Sequence, residues 1–385
     1  MDNFTFHNPV RIRFGAGTIR ELSTELPEDA KVLLVYGGGS IKKNGVYDQV
    51  ISAAGDRIAD EFPGIEANPL YETCMRAVAL VKRISADFLL AVGGGSVVDA
   101  VKFIAAAAAW TRDDDPWTIL SDDAPIERAL PFGAVLTLPA TGSEMNKNSV
   151  ISRASTNEKL AFGDDKVLPV FSILDPETTY TLPDRQVANG IVDAFVHVME
   201  QYLTYPVGGD LQDRQAEAIL LTLIDQAEAV KRDPTDYDTR ATIMWSATQA
   251  LNGLICCGVP EDWATHMIGH ELTALHGIDH AQSLAVVLPG VMYHERERKR
   301  EKLLQYAERV WGLVEGSEEE RIGAAIERTD RFFRETGCPT RLSDYGIKSD
   351  TCQGVAERLE RRDVSLGEHK EIRADAIEAI LQLRV

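Results

Sequence analysis

The sequence predicts an N-terminal α/β domain built on a parallel sheet, followed by an all-α domain. Short, continuous apolar runs alternate with helical segments up to about residue 180, as in a parallel sheet covered on both faces. From about residue 181, long patterns with the helical period replace these runs. The chain has 385 residues, enough for two domains of roughly 100–200 residues each. We place the domains at residues 1–180 and 181–385.

The predicted strands end in turns of small residues. Apolar runs at residues 31–36 and 87–92 are each followed by Gly-Gly-Gly-Ser, and the run at 132–138 is followed by Pro-Ala-Thr-Gly-Ser. A shorter fourth candidate covers residues 171–174. In parallel sheets ligands bind beyond the carboxyl ends of the strands. These turns are therefore the predicted binding edge of the first domain.

Two of these turns have the composition of a phosphate cradle. Glycines between a strand and a helix expose backbone N–H groups, which bind phosphate together with the helix N-terminus. Tight packing of strand against helix is the alternative explanation for a single such turn. Because the pattern occurs twice, we predict a Rossmann-like nucleotide site. From the first turn, its candidate residues are Gly37, Gly38, Gly39 and Ser40.

The residues after the first strand also indicate which nucleotide binds. NAD selectivity usually needs a carboxylate at the end of an early strand, where it holds the ribose hydroxyls. No carboxylate follows Tyr36 directly, whereas Lys42 and Lys43 lie close by. The sequence therefore favours NADP(H) over NAD(H).

The helical half carries its own local signals. Residues 216–229 have a helical apolar pattern, and Ser317 with Glu320 forms the sequence signature of a capping box. In the first half, the alanine-rich run at residues 103–110 predicts a buried helix.

A metal site is predicted in the helical half. Asp193 and His197 lie four positions apart, a spacing that stacks two side chains on one helix face. Four of the eight histidines of the chain fall within fifteen residues: His266, His270, His276 and His280. One carboxylate with several imidazoles suits Zn²⁺ or Fe²⁺.

Geometry limits which histidines share one ion. A straight helix would separate His266 from His280 by about 21 Å, too far for a single site. Gly277 is a candidate helix stop and Asp279 a candidate cap of the next helix. The chain is thus expected to fold back and bring His280 to His266. Spacing alone leaves open which two of the four late histidines bind.

Composition excludes several classes of partner and location. Sixty acidic against forty basic residues give a formal charge of −20, which disfavours nucleic acid and anionic membrane surfaces as partners. No apolar stretch reaches the ~18 residues of a membrane span, and the N-terminus lacks the pattern of a signal peptide. Five cysteines without a CxxC pair indicate reduced thiols. We expect a cytoplasmic protein.

Taken together, these motifs resemble the iron-containing (group III) alcohol dehydrogenases, in the branch of NADPH-dependent aldehyde reductases and butanol dehydrogenases. The resemblance runs nearly end to end. It rests on VGGGSVVD at residues 92–99, TGSE at 141–144, NGIVDAFVH at 189–197, and HMIGHEL through HGIDH at 266–280. The implied architecture is like that of dehydroquinate synthase, with a nucleotide-binding domain and a helical metal-binding domain.

The resemblance also assigns roles to residues. It implies one divalent metal held by Asp193, His197, His266 and His280, with Asp193 supplying negative charge and His270 a candidate proton relay. The implied cofactor contacts are Gly94, Gly95, Ser96, Asp99, Thr137, Thr141 and Lys159. Met145 and Lys147 are bulkier than the small residues expected where the family's substrate binds.

The implied reaction is hydride transfer between NADP(H) and a small aldehyde or primary alcohol. The alternative is a metal-dependent lyase or cyclase of the dehydroquinate synthase type with transient NAD use. That enzyme would need basic residues near the metal to bind a phosphorylated substrate, and residues 266–280 contain no lysine or arginine. A homodimer is also expected, because residues 10–14 form a strand-like segment that could pair across subunits.

Overall fold

The computed structural model describes residues 1–385 and divides into two compact units. The first comprises Met1–Phe6, Pro183–Arg232 and Gln249–Val385, and the second comprises His7–Leu182 and Asp233–Thr248. The predicted boundary at residue 180 lies close to the Leu182/Pro183 division. However, residues 233–248 belong with the sheet unit rather than with the other helices. The assignment of a separate role to each domain stays a prediction.

The sheet unit holds all of the strands. They are β1 (Arg11–Phe14), β2 (Val32–Tyr36), β3 (Ile58–Phe62), β4 (Phe88–Gly94), β5 (Phe132–Leu138), β6 (Asn148–Arg153), β7 (Glu158–Gly163) and β8 (Phe171–Leu174). Six of them form a parallel sheet in the order β1-β8-β5-β4-β2-β3, while β6 and β7 pair as an antiparallel hairpin. The predicted parallel sheet is therefore confirmed.

The four predicted strands correspond to β2, β4, β5 and β8, which occupy the inner positions of the sheet. The sequence pattern missed β3, because this edge strand is only partly buried and polar residues interrupt its apolar run. Residues 10–14 contain β1, which pairs with β8 of its own chain and leaves its other side at the sheet edge. Pairing of this edge across subunits stays a prediction.

Helices cover both faces of the parallel sheet. The helices of this unit are α1 (Leu22–Glu25), α2 (Val46–Ala54), α3 (Tyr71–Ile84), α4 (Gly95–Ala108), α5 (Thr118–Ser121) and most of α8 (Tyr237–Ala250). Leu33 and Leu89 pack with α3 and α4 in one core, and Leu34 and Leu90 pack with α1 and α2 in the other. This alternation follows from the two-residue period of a strand. The predicted buried helix at residues 103–110 corresponds to the second half of α4, which ends two residues earlier, at Ala108.

The other unit is helical. It contains α6 (Asp184–Tyr202), α7 (Asp210–Arg232), α9 (Ala264–His276), α10 (His280–His294), α11 (Arg300–Arg309), α12 (Glu318–Thr336), α13 (Asp350–Arg361) and α14 (Ala374–Gln382). Residues 188–202 of α6 are all buried, as expected for a helix at the centre of a bundle. The predicted helix at residues 216–229 lies within α7, and the predicted capping box of Ser317 and Glu320 opens α12. No helix combines the length and hydropathy that crossing a membrane requires.

Candidate metal centre and nucleotide turns

The candidate metal centre starts on α6, the buried central helix of the helical unit. Asp193 and His197 follow one another by one turn of this helix, and both are buried. The Nδ1 atom of His197 lies 3.7 Å from Oδ1 of Asp193. The helical spacing in the sequence therefore places two candidate ligands side by side, as predicted.

A reversal of the chain supplies the next candidate ligands. Helix α9 ends at His276, and Gly277 follows with a φ of 68°, a left-handed conformation that glycine adopts without steric cost. The next helix, α10, begins at His280. The rings of His266 and His280 come within 5.2 Å of one another, measured between centroids. The predicted fold-back is confirmed.

Asp279 stands at the predicted cap position, but its side chain makes no hydrogen bond to the first turn of α10. Its carboxylate instead accepts a hydrogen bond from Nδ2 of Asn189 at 2.7 Å and lies 3.3 Å from the Arg185 guanidinium. The prediction that Asp279 caps α10 was therefore wrong about its side chain. Asp279 links α6 to the loop between α9 and α10, which fixes the start of the helix that carries His280.

The donor atoms of these residues converge. Nε2 of His280 lies 3.7 Å from Oδ1 of Asp193, and Nε2 of His266 lies 4.0 Å from the same oxygen. One donor atom from each of these three side chains lies within 4.8 Å of the others. Nε2 of His197 is 3.1 Å from Nε2 of His266. Bonds of about 2.0–2.2 Å to one ion require donor separations of this size, so a carboxylate and imidazoles are placed to share a divalent metal.

Burial sets the protonation state of the histidine on α6. Burial and the neighbouring His266 lower the pKa of His197 well below its ordinary value. A neutral imidazole has a free nitrogen lone pair, which is the form that binds metals. The environment of His197 thus favours the neutral imidazole, the form that binds metals.

The two remaining histidines of the cluster lie in different places. His270 is buried, and its ring centroid is 5.2 Å from that of His280 and 6.2 Å from that of His266. His276 is at the end of α9, where its Nε2 lies 3.2 Å from Oγ1 of Thr351. The structure therefore brings His270 to the centre and leaves His276 outside it, a distinction that spacing left open.

Two neighbours of the centre escaped the sequence analysis. Trp263 packs edge-on against His266, with 5.3 Å between ring centroids. Glu200 on α6 is buried, and its carboxylate contacts Nδ1 of His266. Burial and the charge of Asp262 raise the pKa of Glu200, while backbone N–H groups of His266 and Thr265 act in the opposite direction. The sequence did offer a signal for Glu200, since it lies one turn beyond His197 on the same helix face.

In the sheet unit, the second glycine turn joins β4 to α4. Gly93 and Gly94 end the strand, and Gly95 and Ser96 begin the helix. A Cβ at Gly95 would come within 2.3 Å of Oγ1 and 2.7 Å of Cγ2 of Thr141. Only glycine fits at this position, because the TGSE segment packs directly against the turn.

Asp99 is held inside the unit. One carboxylate oxygen accepts a hydrogen bond from Oγ of Ser143 at 2.5 Å, and the other accepts one from the backbone N–H of Val150 at 2.9 Å. Burial raises the pKa of Asp99, and the nearby Lys102 opposes that shift. Asp99 therefore ties α4 to the segment after β5. The family resemblance assigned Asp99 to cofactor binding and did not indicate this positioning role.

Lys102 is the basic partner in this network, and the sequence analysis missed it. Its ammonium donates to Oγ of Ser143 at 2.7 Å, to Oδ1 of Asn146 at 3.1 Å and to the backbone carbonyl of Asn148 at 2.6 Å. The side chain is fully buried, and burial lowers its pKa to about 8. Lys102 thus anchors the whole stretch from residue 143 to 148 on α4.

The other predicted cofactor residues lie on the same unit. Thr137 is in β5, Thr141 accepts a hydrogen bond from the backbone N–H of Ser143 at 3.2 Å, and Nζ of Lys159 on β7 lies 3.0 Å from Oδ1 of Asn68. Thr137 and Lys159 are buried. Each is therefore held in place by its own unit, and their contact with a cofactor stays a prediction.

The first glycine turn, residues 37–40, follows β2 and is half-buried to exposed. Beside it, Nζ of Lys42 lies 3.1 Å from a carboxylate oxygen of Glu61 and 4.3 Å from the ring centre of Tyr47. Tyr36 also donates to Glu61, at 2.8 Å. The sequence analysis found no carboxylate here because Glu61 arrives on β3, the strand it missed. Lys42 balances this charge, and the side chains of Lys42 and Lys43 are both exposed.

Comparison with known proteins agrees with this geometry. Residues 9–176 match the family described as iron-containing alcohol dehydrogenase, and residues 187–385 match the C-terminal part of the same family. The chain belongs to the iron-containing alcohol dehydrogenase family. The resemblance identified from the glycine turns and the histidine motifs is confirmed over nearly the whole chain.

Individual relatives of this iron-containing alcohol dehydrogenase also match it over nearly its whole length. The NADPH-dependent aldehyde reductase YqhD of Escherichia coli (strain K12) is 56% identical over 384 residues, which cover 99% of each chain. A crystal structure of E. coli K-12 YqhD covers 100% of this chain and 99% of that chain, with a TM-score of 0.98 and 55% identity. The crystal structure of NADH-dependent butanol dehydrogenase A from Thermotoga maritima covers 100% of this chain and 99% of that chain, with a TM-score of 0.95 and 36% identity. The predicted fold class is confirmed.

Within this member of the family, the two bulky residues after TGSE lie in different settings. Met145 is half-buried, and its backbone carbonyl accepts a hydrogen bond from Nδ2 of Asn8 at 2.8 Å. Lys147 is exposed, and its ammonium lies 2.9 Å from Oδ1 of Asp165. The bulk of Lys147 is therefore directed to a surface ion pair.

The close contact at Gly95 gives a first testable prediction for this alcohol dehydrogenase. Gly95→Ala is expected to lower the free energy of unfolding by about 1–3 kcal/mol, the usual cost of overpacking a well-packed site. Rotating Thr141 does not remove the clash, because both of its γ atoms lie under 3.0 Å from the added Cβ. Urea denaturation measures the change.

Gly38→Ala is the matched control, since a Cβ at Gly38 meets nothing within 4 Å. It should leave the unfolding free energy nearly unchanged. In a Thr141→Ala background the cost of Gly95→Ala should shrink. Equal stability of Gly95→Ala and the unaltered protein would contradict the steric argument.

Proposed function

We propose that this protein is an NADPH-dependent aldehyde reductase that acts on short- to medium-chain aldehydes and their primary alcohols. The reaction is RCHO + NADPH + H⁺ ⇌ RCH₂OH + NADP⁺. The observation that carries the proposal is the convergence of Asp193, His266 and His280 in a chain 56% identical to an NADPH-dependent aldehyde reductase over nearly its full length. A metal held by these residues would polarise the carbonyl group, and the nucleotide would supply the hydride.

In this proposal Asp193, His197, His266 and His280 hold one divalent ion, Zn²⁺ or Fe²⁺. When bound, such an ion supplies Lewis-acid polarisation of a carbonyl oxygen. Asp193 contributes the negative charge of the ligand set, and its burial among imidazoles keeps that charge close to the ion. The three histidines would bind the ion through ring nitrogens and fix the position of the site.

His270 is the proposed proton relay of the reaction. Reduction of an aldehyde needs one proton at the carbonyl oxygen in addition to the hydride. The ring of His270 lies beside that of His280, and an imidazole can donate and accept protons near neutral pH. His270 is therefore proposed to deliver this proton, directly or through water.

The dinucleotide is proposed to bind the glycine turns of the sheet unit. The proposed contacts are Gly37, Gly38, Gly39, Ser40, Gly94, Gly95, Ser96, Thr137, Thr141 and Lys159, with Asp99 positioning the second turn. Lys42 compensates the charge of Glu61, so this carboxylate does not repel a 2′-phosphate, and exposed Lys43 is the proposed cation for it. Relatives include an NADPH-dependent and an NADH-dependent enzyme, which makes the 2′-phosphate contact the deciding feature.

We also propose that the protein acts as a cytoplasmic homodimer. The exposed side of β1 at the sheet edge supports pairing between two copies, and the net charge of −20 fits a protein that binds neither nucleic acid nor anionic membranes.

The function is tested by following NADPH oxidation at 340 nm with short aldehydes, using purified protein of measured metal content. We expect turnover with NADPH to exceed that with NADH, to stop after chelation, and to return when Zn²⁺ or Fe²⁺ is added. The order of rates along an aldehyde series then defines the substrate class.

A metal-replete protein that binds NADPH but converts no aldehyde or alcohol would contradict the proposal. That result would favour the lyase of the dehydroquinate synthase type. Two arginines beside α9, Arg358 and Arg362, do not favour that alternative, because both are paired with Glu271.

A further inference from the structure

Glu200 is a buried carboxylate directly behind a proposed metal ligand. It lies on α6, seven residues after Asp193, and only 4% of its surface is exposed. One carboxylate oxygen accepts hydrogen bonds from the backbone N–H groups of Thr265 at 2.6 Å and His266 at 3.2 Å. The other oxygen contacts Nδ1 of His266. Glu200 therefore holds both the backbone and the ring of one residue.

The two backbone contacts complete the cap of α9, whose first N–H group, that of Ala264, donates to Oδ1 of Asp262 at 2.9 Å. Trp263 occupies the N-cap position of α9 and offers no side-chain hydrogen bond to the first turn. The free N–H groups of a first turn need an acceptor, and Glu200 provides one from another helix. A negative charge at this end of a helix is also electrostatically favourable. These contacts fix the carboxyl group of Glu200 against the first turn of α9 and the ring of His266.

We infer that Glu200 is a positioning residue that selects the metal-binding tautomer of His266. Metal binding through Nε2 of His266 requires the ring proton on Nδ1, and the carboxylate of Glu200, which contacts Nδ1, is the group placed to accept it. The lone pair is then on Nε2, the atom that lies 3.1 Å from Nε2 of His197 and 4.0 Å from Oδ1 of Asp193. The inference rests on the proposed metal site and adds the group that prepares one of its ligands.

A lysine that lines the same cavity as Glu200 is engaged with other acceptors. Beside Glu200 is a small cavity with mostly apolar walls, to which Met199, Leu288 and Met292 contribute. Lys299, the cation on this cavity, donates instead to Oδ2 of Asp262 at 2.8 Å and to the backbone carbonyl of Leu203 at 2.6 Å, and it contacts Glu368. The carboxylate of Glu200 thus stays directed at His266 and the first turn of α9.

Glu200→Gln tests the inference without removing the cap. The amide oxygen can still accept from the backbone of Thr265 and His266, but the amide nitrogen donates to Nδ1 and moves the ring proton to Nε2. We expect Zn²⁺ affinity, measured by competition with a chromophoric chelator, to fall by about 10–100-fold, as for partners of metal-bound histidines elsewhere. In the metal-free protein, ¹⁵N NMR of labelled histidines should report the Nδ1–H form of His266 in the unaltered chain and its loss in the variant.

Glu217→Gln is the matched control. Glu217 is equally buried at 4% exposure in the same unit, where it accepts a hydrogen bond from the Tyr202 hydroxyl at 3.0 Å. This variant should leave Zn²⁺ affinity and the His266 tautomer unchanged. Glu200→Asp, which keeps an accepting carboxylate, should recover part of the affinity lost in Glu200→Gln.

A double-mutant cycle separates a specific role from general loosening of α9. In a His266→Ala background, Glu200→Gln should no longer change Zn²⁺ affinity. An equal loss in both backgrounds, or an Nε2–H form of His266 in the unaltered metal-free chain, would overturn the inference. Neither readout depends on aldehyde turnover, so the proposed function and this inference can fail separately.

Discussion

His280→Ala is expected to reduce kcat/KM for aldehyde reduction by roughly 10³-fold or more, equivalent to about 4 kcal/mol of lost transition-state stabilisation. The variant removes the imidazole whose Nε2 lies 3.7 Å from Oδ1 of Asp193. His280 is the first residue of α10, so its removal disturbs no helix interior. The expected loss therefore comes from the metal, whose content should fall after dialysis, as measured by elemental analysis.

His276→Ala is the matched control for this prediction. The two histidines are four positions apart in the sequence. However, His276, at the end of α9, contacts Thr351 of α13 and takes no part in the metal centre. Metal content and kcat/KM should be unchanged in this variant, and circular dichroism should show the same helix content in both. Full metal content and activity in His280→Ala, or equal losses in both variants, would refute the assignment of the ligands.

The contrast between these two histidines shows what spacing can and cannot predict. The positions of His266, Gly277 and His280 predicted a reversal that brings two rings together, because a helix stop has a local signature. The same spacing fitted His276 equally well. His276 could be excluded as a metal ligand only from the direction of its side chain. That direction follows from packing against α13, a helix far away in the sequence.

Residues that support the site were harder to predict than residues at its centre. Glu200 and Lys102 act on groups that are 66 and 41–46 positions away. Local spacing places Glu200 on the helix face of His197, but it does not identify the distant partner of either residue. Glu61 was overlooked for a related reason, since its strand is partly buried and lacks a continuous apolar run. By contrast, the inner strands and the capping box of α12 depend on neighbours in sequence, and the sequence predicted them.

Lys102→Met is expected to lower the unfolding free energy by about 3–5 kcal/mol, the usual cost of breaking a buried charge pair by removing one member. Methionine fills similar space but cannot donate to Ser143, Asn146 or Asn148, and the buried carboxylate of Asp99 loses its nearby cation. The measurement is urea denaturation, with Lys82→Met, an exposed helical lysine, as the control expected to change little.

A second variant identifies which part of this cost is electrostatic. Asp99→Asn removes the carboxylate that Lys102 compensates, so the double variant Asp99→Asn/Lys102→Met should be more stable than Lys102→Met alone. If the costs of the two single substitutions simply add, the residues do not act as a pair, and the hydrogen bonds to residues 143–148 account for the whole effect of Lys102. If the double variant regains stability, the charge pair is what anchors the TGSE segment on α4.

NADPH affinity should then fall in Lys102→Met, because that segment packs against the turn at Gly95 where the dinucleotide is proposed to bind.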